Sequence, residues 1–165
     1  AGAERVSLHA DADRAGLVWN GSTITTTLLA TTLPDERKLI PTTVESTAEL
    51  EADSLAGAVR RVGLYNDGRP IVRLDIGAGE VRVHSGDHQG GQAEEMVKAE
   101  VEGSRVSPAY QVRYLADVLK AFAGQRIRLG VQAGYRGSLF TAAHSESLRY
   151  LVVPIRPLEG DQVVG

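Results

Sequence analysis

The sequence predicts an α+β fold in which two helices cover one face of an antiparallel sheet, and three features point to it. Segments 54–65 and 110–122 carry apolar residues at helical spacing. Much of the remaining chain breaks into short extended runs closed by Gly, Asn, Asp or Pro, the pattern of half-buried strands. From residue 44 onward the order helix-then-three-strands occurs twice, with IVRL at 71–74 and RIRL at 126–129 standing about 55 residues apart. This internal repeat is one of architecture, not of identity. A length of 165 residues suits about one domain with a real core. No run approaches the ~20 apolar residues of a membrane span, and no basic-then-apolar leader opens the chain, so neither a transmembrane helix nor a signal peptide is expected. The absence of cysteine excludes disulfides, thiol catalysis and sulfur-ligated zinc, and it suits the reducing cytoplasm.

Each element has a local reason. RVSLH (5–9) alternates, the polar turn from Asp11 to Arg14 leads into GLVWN (16–20), and Asn20-Gly21 is a hairpin signal before STITTTLL (22–29). Thr23, Thr25 and Thr27 would share one face of that strand and Ile24, Thr26 and Leu28 the other; the threonines express β-propensity rather than hydroxyl chemistry. LPDERKLIP (33–41), bracketed by prolines around a charged centre, reads as a linker. VESTAEL (44–50) extends as a strand. The helix of 54–65 would be capped by Asp53 or Ser54 and bury Leu55, Ala58, Val59 and Val62. PIVRLDI (70–76), EVRVHSG (80–86) and a long AEEMVKAEVEG (93–103) supply three strands. The second helix is expected to begin near Ser107-Pro108, a cap followed by proline at the first helical position, and to run to Gly124. Its core stripe is Val112, Leu115, Val118, Leu119 and Phe122. QRIRLGVQ (125–132), GSLFTA (137–142) and LRYLVVP (148–154) complete the second set of three.

With 18 Lys+Arg against 21 Asp+Glu, the formal net charge is -3, which argues against a protein that coats nucleic acid by bulk charge. The outward helix faces are different. Gly57, Arg60, Arg61 and Leu64 lie away from the core stripe of the first helix, and Arg113, Asp117 and Lys120 away from that of the second. Such stripes are either ordinary solvated faces or surfaces that meet the phosphates of duplex DNA without reading bases. Catalytic patterns are missing. Gly77-Ala78-Gly79 and Gly90-Gly91 do not lead a strand into a helix as a phosphate loop does. Glu94 and Glu95 point to opposite faces of a strand, and no Ser-His-Asp grouping follows from spacing. His84 and His88 in HSGDH have metal-ligand spacing, yet the segment reads as a Gly-rich turn in which i and i+4 are not aligned as on a helix. A metal hydrolase built on that pair is the enzyme alternative; otherwise no metal, no cofactor and no enzyme are implied.

Six segments then stand together in register: LPDERKLIP at 33–41, RRVGLY at 60–65, PIVRLDI at 70–76, QAEEMVKAEVEG at 92–103, YQVRYLADVLKAF at 110–122 and YLVVPIRP at 150–157. In order and spacing the chain resembles the bacterial DNA polymerase III beta subunit, the sliding clamp. The resemblance implies the DNA-clamp fold, with residues 1–42 as the last strands of the clamp's middle domain and linker, 43–157 as its complete C-terminal domain, and 158–165 as a tail. It implies a non-catalytic processivity factor of DNA replication, a head-to-tail homodimeric ring when full length, whose helices face sequence-independent duplex DNA. The positions assigned to that face are Arg60, Arg61, Arg113 and Lys120.

The resemblance also implies an apolar groove for short linear motifs of the replicative polymerase, the clamp loader and repair proteins. Matching positions are Pro34, Lys38 and Leu39 in the linker, Gln111 and Tyr114 on the second helix, Ser138 on a late strand, and Leu151, Val152, Val153, Pro154, Ile155 and Arg156 at the C-terminal strand. Departures from the family pattern are Gln111 for the common Asn, Tyr110 for Phe, Leu33 for an aromatic, and Val153 and Ile155 at positions often held by Met. A diverged clamp-like interaction module of a regulatory protein is therefore the alternative. Lacking the first domain, this piece is expected to be a monomer or to associate in a non-native way.

Overall fold

A computed structural model describes residues 5–32, 35–65, 70–87 and 91–156, arranged as two units, Ala1–Asp35 and Glu36–Gly165. In the first, β1 (Ser7–Ala10), β2 (Arg14–Trp19) and β3 (Ser22–Thr27) form an antiparallel sheet in sequence order. Asn20 and Gly21 both take positive φ, 44° and 75°, the backbone that lets a two-residue hairpin follow the twist of its strands. At the β1–β2 turn the Asp11 carboxylate accepts the backbone N–H groups of Asp13 and Arg14 at 2.9 and 2.8 Å, and these donors hold it below the usual carboxylate range. Every residue of β3 is exposed, on both faces.

The second unit opens with a single turn of helix, α1 (Glu36–Leu39), inside the expected linker. Then come β4 (Ser46–Glu51), α2 (Ala52–Gly63), β5 (Ile71–Gly77), β6 (Glu80–Asp87), β7 (Gly91–Lys98), β8 (Glu100–Gly103), β9 (Ala109–Gln111), α3 (Val112–Ala121), β10 (Arg126–Val131), β11 (Ser138–Ala142) and β12 (Ser145–Val152). The antiparallel sheet is in fact two sheets, ordered β12-β11-β10-β4-β8 and β7-β6-β5-β9. Each long helix follows a lead-in strand and precedes a three-stranded meander. The lead-in strands are exchanged between repeats: β4 pairs with β10, Leu50 opposite Ile127, and β9 pairs with β5, Tyr110 opposite Val72. Neither repeat can therefore complete its sheet without the other.

One cluster holds both sheets and both helices. It takes Leu55, Val59 and Val62 from α2, Leu115, Val118 and Leu119 from α3, Leu74, Ile76 and Val83 from one sheet and Leu50, Leu129 and Phe140 from the other. Burying each such side chain contributes about 1.5–3 kcal/mol. The helices run antiparallel: a Cβ at Gly63, the end of α2, would lie 3.0 Å from Cγ2 of Val112, the start of α3. At the opposite end the Asp53 carboxylate accepts the Gly124 N–H at 3.2 Å.

Four expectations are corrected. Segment 93–103 is not one strand: it breaks at Ala99, and β7 and β8 belong to different sheets. The second helix does not start at Ser107-Pro108; the Pro108 carbonyl accepts the Leu74 N–H, Ser107 Oγ donates to the Asp75 carboxylate, and α3 begins only at Val112, after β9. Neither Asp53 nor Ser54 caps α2, which begins two residues earlier with Glu51 at the N-cap and no side-chain cap bond. His84 sits within strand β6 rather than in a turn.

Candidate nucleic-acid interface

The outward stripes fall where helical spacing puts them. Arg60 and Arg61 on α2 and Arg113, Asp117 and Lys120 on α3 are exposed, opposite the buried stripes. Arg60 and Lys120 occupy equivalent places, each eight residues beyond the first residue of its helix. Neither has an ion-pair or hydrogen-bond partner among the described residues.

The other two cations are engaged. Arg61 Nε donates to Glu95 Oε1 and its Nη2 to Oε2, both at 2.6 Å, a forked ion pair between α2 and β7. The hydrogen bond and the opposite charge raise the guanidinium further above its ordinary range and hold the Glu95 carboxyl below the usual carboxylate range. Arg113 folds along its own chain: Nε donates to Gln111 Oε1 at 2.8 Å, Nη2 donates to the Tyr114 hydroxyl at 2.7 Å, and its guanidinium carbon lies 4.5 Å from the Tyr114 ring centroid. The structure thus joins Arg113 to two residues expected in the partner groove. Sequence reasoning missed Glu95 as a partner, because no local spacing links residues 34 positions apart.

The groove positions divide by burial. Pro34 lies outside the described residues. Lys38 and Leu39 are exposed on α1. Gln111 is not on the second helix: it ends β9 and is the N-cap of α3. Tyr114 is 44% exposed. Ser138, expected to line the groove, is 0% exposed; its hydroxyl and that of buried Tyr110 share a 2.6 Å hydrogen bond, so it belongs to the core. Burial pushes the Tyr110 phenol well above its ordinary range. Along the C-terminal segment Leu151 and Ile155 are half-buried, Val152 and Pro154 are buried, and Val153 and Arg156 are exposed. The Ile155 N–H donates to the Ala109 carbonyl at 2.8 Å, which brings the segment to the free side of β9. The Arg156 guanidinium lies 5.9 Å from the centroid of Tyr135, a residue the sequence did not nominate.

Of the two histidines in the expected metal pair, one lies among the described residues. His84 Nε2 is hydrogen-bonded to Asp75 Oδ2 at 2.8 Å, and His88 lies outside the described residues. Among the described residues no group of three or more His, Asp or Glu is placed to hold a metal, and no helix is long and apolar enough to cross a membrane.

Two helices on paired antiparallel sheets, with exchanged lead-in strands, define a sliding-clamp fold. The beta clamp of Bartonella birtlesii, solved bound to griselimycin, superposes with a TM-score of 0.80 at 20% identity over 92% of this chain and 41% of its own. Residues 37–156 match the family described as DNA polymerase III beta subunit, C-terminal domain, and the chain belongs to that family. It is 31% identical over 142 residues to the beta sliding clamp of Streptomyces coelicolor, covering 82% of this chain and 38% of that protein. To the beta sliding clamp homolog GriR of Streptomyces muensis it is 28% identical over 158 residues, 92% of this chain and 42% of that one. The chain thus spans about two-fifths of the length of the relatives it matches. These relatives are clamps, and clamps are non-catalytic.

Proposed function

We propose that this chain forms part of a DNA sliding clamp, a cytoplasmic processivity factor that encircles duplex DNA as a ring-forming homodimer and tethers the replicative polymerase. In this reading residues 1–42 are the closing strands and linker of a middle domain, 43–157 the C-terminal domain and 158–165 a tail. The observation that carries the DNA role is the pair Arg60 and Lys120: exposed, unpartnered among the described residues, and equivalent on two antiparallel helices. Two such cations attract phosphates at no fixed base position, which suits a protein that slides. Arg61 and Arg113 flank them. The family match supports the reading, and so does the fold.

The test is duplex binding against salt. Each phosphate contact should contribute about 0.9 to the slope of log K on log salt, so Arg60→Gln and Lys120→Gln should each flatten it by about that amount. Unchanged slopes would remove the DNA face.

The partner groove forms the second half of the proposal. Lys38, Leu39, Gln111, Tyr114, Val153, Ile155 and Arg156 would take the apolar anchors of short linear motifs from polymerase, clamp loader and repair proteins. Leu151, Val152, Pro154 and Ser138 would support it from below. Clamps solved bound to griselimycin support a ligand site in such proteins. Titration of a labelled clamp-binding peptide should saturate with the wild-type chain and fail with Tyr114→Ala or Val153→Asp. Val153 is the residue to change because it is 63% exposed, whereas Val152 at 5% would carry a buried charge into the core.

A further inference from the structure

On the DNA-facing reading above, the Arg61–Glu95 pair governs how α2 meets a phosphate. Arg61 leans off the crest of α2. Its guanidinium lies back over Gly57, where a Cβ would come within 3.1 Å of Nη1, and its fork closes on Glu95, which reaches across from β7. The Glu95 carboxylate is held in place by its strand: its register partner is Val83, a buried residue whose side chain faces the helices, so Glu95 points to the helix side while Glu94 points away. The forked carboxylate occupies the side edge of the guanidinium, Nε–H and one Nη2–H, and pairs its charge. A phosphate can take that edge only by displacing Glu95, and the Nη1–Nη2 end offers it a guanidinium whose charge is already paired.

We infer that Glu95 is an intramolecular phosphate mimic that withholds Arg61 from DNA, so that this surface grips the duplex with Arg60 and Lys120 and keeps Arg61 latched. The latch sets how tightly the surface holds DNA. A clamp-type surface that slides benefits from fewer fixed phosphate contacts, because each one adds to the salt-dependent affinity that resists movement.

The experiment uses the full 165-residue chain, labelled with ¹⁵N and titrated with a short mixed-sequence duplex at several salt concentrations. In the wild-type chain, DNA should shift backbone signals around Arg60 and Lys120 and leave the Arg61 Nε–H resonance in place. In Glu95→Gln, the Arg61 Nε–H should move with DNA and the slope of log K on log salt should steepen by about 0.9, about 3.5-fold in affinity over a fourfold change in salt. Glu95→Gln combined with Arg61→Gln should lose that gain. Glu102→Gln, on β8, makes the same change in net charge and controls for bulk attraction. Equal steepening by Glu95→Gln and Glu102→Gln, or an Arg61 Nε–H that already moves with DNA in the wild-type chain, would overturn the latch. If Arg60→Gln and Lys120→Gln also leave binding unchanged, the DNA-facing reading itself fails. If they weaken it while Glu95→Gln does nothing, only the latch fails.

Discussion

In the α2 half of the second unit, the chain leaving the meander pairs with the free side of β4 over four residues, from Ser46 opposite Gly103 to Glu49 opposite Glu100. In the α3 half, the chain leaving β12 meets the free side of β9 at one bridge, Ile155 to Ala109. Everything between is built alike: lead-in strand, helix, three-stranded meander. Equivalent positions share burial more than identity, as Leu50 and Tyr110 do two residues before their helices, and Arg60 and Lys120 share charge. Topology is therefore carried by where apolar groups recur. What distinguishes the halves lies at their edges, and two of the proposed groove residues, Gln111 and Ile155, lie on or against the lightly covered strand β9.

The largest effect should come from breaking the well-closed edge. Gly103 has φ of +97°, and a Cβ there would lie 2.3 Å from the Glu45 carbonyl oxygen. Gly103→Ala adds a strained backbone to a clash with main chain and should cost about 3 kcal/mol or more, read as a fall in the urea midpoint with m unchanged. Ile155→Ala, at the lighter closure, removes a half-buried side chain and should cost about 1–2 kcal/mol. Equal losses would contradict the asymmetry of the two edges.

A smaller effect separates Leu50 from its equivalent Tyr110. Tyr110→Phe leaves the buried Ser138 hydroxyl without its partner and should cost about 1–3 kcal/mol, and adding Ser138→Ala should recover most of it. The phenol also predicts an alkaline limb. Its folded pKa is raised above the unfolded value of about 10, so between the two the unfolded chain has lost a proton that the native chain keeps. Stability attributable to Tyr110 is full below pH ~10 and falls as pH rises toward the folded value. Tyr110→Phe should remove that limb from a plot of stability against pH; a limb of unchanged depth would place its origin elsewhere.

How much of this was legible depends on the range over which each feature is decided. The stripe Leu55, Ala58, Val59 and Val62 is buried as helical spacing predicts, and of the second stripe Leu115, Val118, Leu119 and the C-cap Phe122 are buried while Val112 is half-buried, because one face of one helix sets most of each. The Asn20-Gly21 hairpin was legible for the same reason. The break at Ala99 was not: both sides are extended, and only the pairing of β8 with β4 reveals that the chain changes sheet. Ser107-Pro108 looked like a helix start because its chemistry is local, yet Ser107 finds Asp75, 32 positions away. The site follows the same rule. Exposure of Arg60, Arg61, Arg113 and Lys120 followed from spacing. The capture of Arg61 by Glu95 and the burial of Ser138 against Tyr110 depend on neighbours distant in sequence.

The smallest predicted effect tests the two helix faces against each other. Gly57 on α2 stands where α3 has Asp117, each five residues beyond its helix start. Its backbone φ is not positive, so glycine is not required by conformation there, and alanine should stabilise α2 by about 0.5–1 kcal/mol through helix propensity alone. The new Cβ would meet only the far end of the Arg61 side chain, at 3.1 Å, which can yield by a few tenths of an ångström. Gly57→Ala should therefore raise the melting temperature by a few degrees while the Arg61 Nε–H resonance reports a loosened pair with Glu95. A melting temperature that falls instead would mean that the lie of Arg61 over Gly57 outweighs propensity. Gly57 would then be the residue that gives α2 room for a latched arginine, a role for which α3, with Asp117 and Ala121 at the equivalent positions, has no counterpart.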